Sequence, residues 1–275
     1  MRSIVFLLFF CVSLSHAQQV QFKKDSILTT KDTLFYSIKN NMLSPMFFIM
    51  NPKKGIPKEI QYQQRTLIRA CEQLNSFVKV PRNILENDSA SVNLNTYFSF
   101  KAGYGDPTTV KHNDNYLYLL PYKKKKKLIQ GNFGRFSHDH IRSYHAFDFG
   151  TKIGDTIYAA REGKVVMTKE DSKKHGRTRK YSSFANYIII QHNDGTTAAY
   201  YHLNFNGVLI ENGDMVSRGQ AIGISGMTGF TTTPHLHFVV HKTTEKDGNV
   251  SVPITFEGYE KKKFRKGKRY KRRKK

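Results

Sequence analysis

Beyond its first residues, the sequence lacks an apolar run long enough to span a membrane as a helix, which takes roughly 20 residues. The N-terminal run from Ile4 to Leu14 is shorter and follows Arg2. It precedes "SHA", which has small residues at both positions that a signal peptidase reads. We therefore predict a signal peptide at residues 1–17 and an exported mature protein, periplasmic or extracellular, with no transmembrane segment.

Cysteine is also scarce, since Cys11 and Cys71 are the only two in the chain. Removal of the predicted signal peptide removes Cys11, so the mature protein cannot form an intrachain disulfide even in an oxidising compartment. Any strong cross-link in the mature fold would have to be a metal site.

Acidic residues are few as well: 21 Asp and Glu stand against 45 Lys and Arg, for a formal net charge of +24. The last 15 residues, "KKKFRKGKRYKRRKK", hold 12 basic residues and no acidic one. Like charges at this density repel each other and resist burial, so we predict a disordered basic tail at 258–275. In an exported protein its expected partner is an anionic surface polymer or lipid head groups rather than nucleic acid.

The sequence shows no heptads, no convincing long helix and no phosphate-binding loop. Residues 18–122 contain short alternating segments such as "TLFYSI" and "TYFSF", which predict a small β-sandwich-like accessory domain, with one helical turn in "RTLIRACEQL". The run "KKKKK" at 123–127 indicates a solvated linker. Residues 128–257 are predicted to form a second, antiparallel β domain.

Two hairpin signals support this fold class, which is mainly β. "NYIIIQH" and "TTAAYYHL" flank Asn193, Asp194 and Gly195, residues that tolerate the positive φ of tight turns. "HLHFVVHKTT" and "VSVPITF" flank "EKDGN" in the same way.

Several histidines and one aspartate lie next to these strand signals. Side chains two apart share one face of a strand, so His235 and His237 in "TPHLHF" could bind one ion. A catalytic zinc takes three protein ligands and keeps a position for water. His175 and His192, taken singly, are better explained as structural residues, and His241 is a weaker member of the same strand. The remaining candidates lie in "FSHDHIRSYHAFDFG" (His138, His140, His145, Asp148) and in "AYYHL" (His202).

Three stretches carry a family resemblance: "HAFDFGTKIGDTIYAAREGKVV", "YYHLNFNGVLIENGDMVSRG" and "QAIGISGMTGFTTTPHLHF". Their order of His/Asp, then His, then His-x-His resembles that of the lysostaphin-type zinc endopeptidases, which cut peptidoglycan peptides. The resemblance covers about residues 130–240. It implies a lysostaphin-like antiparallel β-sheet catalytic domain, one Zn²⁺ per chain and a peptidoglycan peptide as substrate.

The resemblance also implies residue roles. Asp148 and His237 take the positions of zinc ligands, whereas His202 and His235 take those of the catalytic histidines, as general base or as stabilisers of the oxyanion. The usual first motif, His-x-Gly-x-Asp, is not matched, because Tyr144 stands four residues before Asp148.

The first zinc ligand therefore has two candidates, His138 and His145. Residues three apart on a regular strand face opposite sides, so His145 could share an ion with Asp148 only across a bulge or turn. His138 follows the glycine-bearing loop "GNFGRFSH", which could fold back to the strand. We favour His138 as the ligand and keep His145 as the alternative. If His138 binds the zinc, His145 is expected to lie near the ligands or the substrate.

The sequence thus predicts a zinc metalloendopeptidase that hydrolyses peptide bonds of peptidoglycan. Two alternatives belong to other classes: a non-catalytic wall-binding regulator of other hydrolases, and an anionic-polymer-binding protein whose function depends on the basic tail.

Overall fold

The structure is a computed structural model and describes residues 20–24, 28–85 and 92–273. The predicted signal peptide, 1–17, lies outside the described residues. Within the ranges that are described, no helix has both the length and the apolar character needed to cross a membrane.

Two antiparallel sheets form the N-terminal part of the chain. Their strands are β1 (Val20–Lys24), β2 (Thr33–Asn40), β3 (Met46–Pro52), β4 (Gln61–Tyr62), β5 (Arg65–Ile68), β6 (Gln73–Pro81) and β7 (Phe98–Tyr104). One sheet has the order β1-β2-β6-β4 and the other the order β5-β3-β7. Short helical pieces, a 3-10 helix at Arg82–Ile84 and α1 at Leu94–Tyr97, precede β7.

The prediction of a helical turn in "RTLIRACEQL" is wrong, because these residues form β5, a turn and the start of β6. Ile68 pairs with Met46 and Thr66 with Phe48 on β3. Pairing with β3 lets Ile68 bury its side chain completely, which a single exposed helical turn could not provide.

A nine-stranded sheet forms the C-terminal part. The strands after β7 are β8 (Leu117–Tyr118), β9 (Lys126–Gln130), β10 (Phe147–Gly150), β11 (Thr156–Tyr158), β12 (Gly163–Lys169), β13 (His175–Gly176), β14 (Tyr187–Gln191), β15 (Thr197–Tyr201), β16 (Leu203–Val208), β17 (Met215–Val216), β18 (Ala221–Ser225), β19 (Gly229–Phe230), β20 (His235–Thr244), β21 (Gly248–Ser251), β22 (Thr255–Phe256) and β23 (Arg269–Tyr270). A 3-10 helix, Arg179–Phe184, lies between β13 and β14. The sheet order is β17-β12-β14-β15-β20-β10-β9-β23, with β21 paired to β20.

The remaining strands form three small sheets: β11-β18-β16, β13-β19 and β22-β8. Both predicted hairpins are present, as β14-β15 and β20-β21. The prediction of a mainly β fold is confirmed.

Both faces of β14, near the middle of the nine-stranded sheet, are buried. On β14, Ile188 and Ile190 belong to a core with Phe149, Phe238 and other residues of the C-terminal part. Tyr187 and Ile189 point the other way, into a core shared with the N-terminal strands. The N-terminal sheets therefore pack on one face of the C-terminal sheet.

Hydrogen bonds tie the two parts together at the end of β7. The Thr243 hydroxyl donates to the Tyr104 carbonyl oxygen at 2.9 Å, and the Tyr104 amide donates to Asn249 Oδ1 at 2.8 Å. A Cβ at Gly103 would lie 2.2 Å from Thr243 Cγ2, so this approach requires glycine.

Two predicted boundaries differ from the structure. Within the predicted linker 123–127, Lys126 and Lys127 begin β9 and pair with β10 or β23. Leu117 and Tyr118, placed by prediction in the accessory domain, pair with β22 of the C-terminal part. The division into an accessory domain at 18–122 and a metallopeptidase domain at 128–257 stays a proposal.

The largest difference between prediction and structure lies in the tail, 258–275, which was predicted to be disordered. Up to Arg273 it is described, and its strand β23 pairs with β9. Phe264 stacks on Tyr270 with ring centroids 4.1 Å apart and packs against Phe147 and Phe256. Aromatic side chains between the basic ones supply the burial that the charge count alone argued against.

Candidate metal centre and active site

Two neighbouring strands bring Asp148 and the alternate histidines together. β10 pairs antiparallel with β20, with Asp148 opposite His237 and Gly150 opposite His235. Directly opposed residues of an antiparallel pair point to the same face, and residues two apart on one strand do as well. This register therefore places one carboxylate and two imidazoles on one patch of the sheet.

His202 reaches the same patch from the other side of β20. Tyr201 at the end of β15 pairs with His237, and His202 follows with a φ of 67°. This left-handed conformation is uncommon for a residue with a side chain. The ring centroid of His202 lies 4.5 Å from that of His235 and 6.0 Å from that of His237.

His138 comes from the loop between β9 and β10. The His138 amide donates to the Gly134 carbonyl oxygen at 3.0 Å, which turns the chain back toward the sheet. The side chain is fully buried. Its Nδ1–H donates to the Gly131 carbonyl oxygen at 2.8 Å, so in the neutral ring the lone pair is on Nε2, the nitrogen that faces Asp148.

Three donor atoms converge. Asp148 Oδ1 lies 2.8 Å from His237 Nδ1 and 3.2 Å from His138 Nε2, and the two histidine nitrogens are 3.4 Å apart. Donors bound to one tetrahedral zinc at ordinary bond lengths lie about 3.3 Å from each other. The triangle of His138, Asp148 and His237 fits a zinc ion in both donor type and spacing.

The charge states of Asp148 and His237 agree with this fit. Burial alone would lower the pKa of His138, but its hydrogen bond with Asp148 outweighs burial and raises that pKa. Burial alone would raise the pKa of Asp148, but hydrogen bonds with His138 and His237 outweigh it and hold that pKa well below its usual range. Burial lowers the pKa of His237 despite its contact with Asp148. The group therefore offers an ionised carboxylate and a neutral imidazole, the forms that bind a metal.

His202 and His235 form a second pair beside this triangle. Each donates its Nδ1–H to a backbone carbonyl oxygen, His202 to Thr228 at 2.7 Å and His235 to Thr233 at 2.9 Å. A carbonyl can only accept, so Nε2 of both rings carries the lone pair when the ring is neutral. Burial and the nearby His235 and His237 hold the pKa of His202 well below its usual range, which makes it a neutral base.

His145, the alternative first ligand, lies outside the metal triangle. Its ring packs edge-on against Phe133 with centroids 5.1 Å apart, and its amide donates to the Ser251 hydroxyl at 3.2 Å. β10 begins only at Phe147. The structure therefore brings together His138, and not His145, with Asp148 and His237.

The other candidate histidines lie outside the metal triangle and the pair beside it, and two of them make hydrogen bonds to the backbone. His192 donates Nδ1–H to the Glu162 carbonyl oxygen at 2.7 Å, and His241 donates Nε2–H to the Arg142 carbonyl oxygen at 2.9 Å. His175 is exposed on β13, opposite Gly229, and His140 is exposed in the loop that carries His138.

Sequence reasoning missed Gln130, which contacts Asp148 from the neighbouring strand β9. Its Nε2 donates to the Ser137 hydroxyl at 2.8 Å and lies 3.4 Å from Asp148 Oδ2. Gln130 is opposite Asp148 on β9. A glutamine after a lysine run gives no local signal, because its role depends on a strand pairing 18 residues away.

Two threonines of "GMTGFTTTP" orient the pair of histidines beside the metal triangle. Thr228 acts through its carbonyl oxygen, and Thr231 through a hydroxyl 3.2 Å from His235 Nδ1. Gly229 has a φ of 86°, and a Cβ there would lie 2.5 Å from that of Ala185, so the turn requires glycine.

Residues 142–250 match the model of Peptidase family M23. This part of the chain belongs to peptidase family M23. The resemblance to lysostaphin-type peptidases is confirmed. The M23 match contains Asp148, His202, His235 and His237 but begins after His138.

Two curated relatives and one solved structure illustrate the M23 likeness. Over 98 residues the chain is 38% identical to the peptidoglycan DD-endopeptidase ShyA of Vibrio cholerae, covering 36% of this chain and 20% of the relative. Over 114 residues it is 33% identical to lysostaphin of Staphylococcus simulans, covering 41% and 21%. The crystallised catalytic domain of lysostaphin aligns at 30% identity with a TM-score of 0.31, over 47% of this chain and 86% of that one. The chain spans about a fifth of the length of these curated relatives.

Proposed function

We propose that this protein is a zinc metalloendopeptidase that hydrolyses peptide bonds of peptidoglycan. The observation that carries the proposal is the convergence of five side chains on one patch of the M23 sheet: His138, Asp148, His202, His235 and His237. The names of the relatives support the substrate class, since ShyA is a peptidoglycan DD-endopeptidase by name and lysostaphin is called an antimicrobial peptidase.

His138, Asp148 and His237 would hold the zinc. When bound there, zinc supplies a Lewis acid and lowers the pKa of water toward about 7. The hydrogen bonds from His138 Nδ1 to Gly131 and between Gln130 and Asp148 keep the donors aimed at one point without the ion. Such supporting contacts preserve ligand geometry.

One of His202 and His235 would move the proton. Each is fixed with Nε2 as acceptor, so it can take a proton from the attacking water and return it to the leaving amine. The low pKa of His202, caused first by burial, keeps this ring unprotonated at neutral pH before the reaction. A carbonyl-anchored imidazolium can also stabilise the developing oxyanion.

Aromatic side chains give the substrate a surface to pack against. Phe136, two residues before His138, is 61% exposed and stacks on Phe230 with centroids 5.7 Å apart. Arg179 pairs with Asp139 beside them at 3.2 Å. We propose that Phe136 and Phe230 contact the peptide on one side of the metal.

We further propose that the protein is exported and that its basic tail binds an anionic surface polymer or lipid head groups. Export would bring the M23 domain to its substrate. The five site residues favour catalysis over a purely regulatory wall-binding role, because a regulator needs neither the metal triangle nor the oriented pair of histidines.

The proposed reaction predicts that the protein without residues 1–17 releases soluble muropeptides from purified peptidoglycan, that a chelator stops the release and that Zn²⁺ restores it. The His237→Ala variant should lose at least about 100-fold of the activity, since it removes a metal ligand. His112→Ala is the matched control, because His112 lies outside the site and pairs with the exposed Asp114. Mass spectrometry of the products identifies the bond. Undiminished release by His237→Ala would refute the proposal.

A further inference from the structure

Two basic runs, separated by about 130 residues in the sequence, lie side by side in the fold. The first is 123–127 and the second is 261–273. β9 pairs with β23, the last strand of the nine-stranded sheet, with Lys127 opposite Arg269 and Lys126 opposite Tyr270. The two runs therefore form one surface along the end of the sheet.

We call this surface the basic edge. Its members are the exposed lysines and arginines of both runs: Lys123, Lys124, Lys125, Lys127, Lys261, Lys262, Lys263, Arg265, Lys266, Lys268, Arg269, Lys271 and Arg273. Neither run contains an acidic residue, and the ion pair between Lys126 and Asp155 involves the half-buried lysine of the first run. The basic edge therefore carries a large excess of positive charge.

Contacts between the two runs and their neighbours hold the basic edge in place. The ring of Tyr158 contacts both runs, with Lys123 Nζ 4.6 Å and the Arg272 guanidinium 5.0 Å from its centroid. The Gly267 amide donates to the Leu128 carbonyl oxygen at 2.8 Å. Tyr270 is 9% exposed and accepts from the Arg265 amide at 2.7 Å.

Holding so many like charges together costs free energy unless an anion neutralises them. A fold that buries Tyr270 and Phe264 to order the second run would gain nothing from the charges if they only aided solubility. This arrangement indicates a polyanionic partner.

The shape and polarity of the surface narrow the partner. The exposed large apolar side chains of the described chain, such as Phe133, Ile153 and Met215, all lie outside the two runs. The basic edge therefore has no apolar group to insert into a bilayer, in contrast to interfacial anchors. Its charges follow a strand edge, and its arginines can bind phosphate through two parallel hydrogen bonds. We propose that the basic edge binds an extended, linear phosphodiester polymer.

The position of the basic edge relates it to the proposed reaction. β9 runs from Lys126 and Lys127 to Gln130, which contacts Asp148. Three residues of a strand span about 10 Å. A polymer bound there would lie next to the metal triangle, so hydrolysis would be directed to peptidoglycan that carries such a polymer. This last step depends on the proposed function, whereas polymer binding itself does not.

Binding can be measured directly with fluorescently labelled poly(glycerol phosphate) by anisotropy across a range of salt concentrations. Two variants each replace four charges of one run with glutamine: Lys123, Lys124, Lys125 and Lys127, or Lys268, Arg269, Lys271 and Arg273. The control variant replaces Lys31, Lys54, Lys58 and Lys111, which are exposed on other surfaces. Circular dichroism and thermal unfolding verify that each variant is folded.

We expect each basic-edge variant to bind poly(glycerol phosphate) at least about tenfold more weakly at a salt concentration of about 50 mM. The slope of log K against log salt should flatten by about 0.7 for each phosphate that the variant no longer neutralises. The control variant should bind like the wild type. If only the 268–273 variant bound more weakly, the two runs would not act as one surface and the inference would be wrong.

Two further arms test the choice of partner. Tighter binding to vesicles that contain phosphatidylglycerol, or to an oligodeoxynucleotide of equal charge, would overturn the assignment to a wall-type phosphodiester polymer. In hydrolysis assays, the basic-edge variants should digest polymer-free peptidoglycan at the wild-type rate and polymer-bearing walls more slowly. Weakened binding with unchanged digestion of both substrates would contradict the directing role, and so would a wild type that digests only polymer-free peptidoglycan. Failure of the wild type on both substrates would contradict the proposed function alone.

Discussion

At the scale of the residue, the first metal ligand is where sequence and structure can be compared most sharply. The spacing rule on strands excluded a simple role for His145, and the glycine-bearing loop made His138 the better candidate. The structure gives the physical reason: the Gly131 and Gly134 carbonyl oxygens hold the loop and the His138 ring. Local sequence could favour this outcome but could not establish it, because loop shape depends on contacts with β10.

This comparison yields a prediction on zinc affinity. His138→Ala should weaken zinc binding by about 100-fold or more, because it removes one of three protein ligands and exposes the charge of Asp148. His145→Ala should change the affinity less than about threefold, since its ring packs on Phe133 rather than in the metal triangle. Competition with a zinc-binding dye measures both. The reverse ranking would show that His145 is the ligand.

At the scale of the element, the "HLH" alternation predicted that His235 and His237 share one face of a strand. The structure places both on β20. What the sequence could not indicate was the partner strand. Asp148 pairs with His237 across 89 residues, and a shift of one residue would turn Asp148 to the opposite face. The register is set by the packing of Phe147, Phe149 and Phe238 in the core, which no local pattern reveals.

The β14–β15 hairpin was predicted from its turn residues. His192, the residue directly after β14, helps to hold this turn. The His192 amide donates to the Thr196 carbonyl oxygen at 2.8 Å, and its ring is buried beside Tyr118. Burial lowers the pKa of His192 from 6.5 to about 4. The folded protein therefore keeps this imidazole neutral where the unfolded chain protonates it.

The sign of the pH effect follows. The unfolded chain binds one more proton at His192 between pH 6.5 and 4, so this group's contribution is complete above pH 6.5 and is lost as pH falls toward 4. The full effect on the free energy of unfolding is about 3 kcal/mol. His192→Asn keeps a donor for the Glu162 carbonyl oxygen but does not titrate. Urea unfolding from neutral pH down to about pH 4 should show a shallower decline of stability in the variant, and identical pH profiles would contradict this account.

At the scale of the whole molecule, the sequence separated two β regions but did not indicate that they share a core. Strand β14, "YIIIQ", is apolar at successive positions, which is typical of a strand buried on both faces. The N-terminal sheets provide the second cover, through a core that includes Tyr187 and Ile189. Hydrophobic periodicity indicates that a face is buried but not what covers it.

Charge counting misjudged the C-terminal segment for a related reason. The tail was interpreted by its lysines and arginines, whereas Phe264 and Tyr270 decide its packing against Phe147 and Phe256. Two aromatic side chains are easily overlooked among so many charges. Their burial makes the basic edge part of the fold and places it beside the M23 site.

The central claim is that His138, Asp148 and His237 hold one zinc ion with room left for water. Zinc K-edge X-ray absorption on the zinc-loaded protein without residues 1–17 tests it most directly. We predict one zinc per chain with only nitrogen and oxygen neighbours, two of them imidazoles, and disappearance of this spectrum in Asp148→Ala and His237→Ala. A sulfur neighbour, or an unchanged spectrum in those two variants, would contradict the claim.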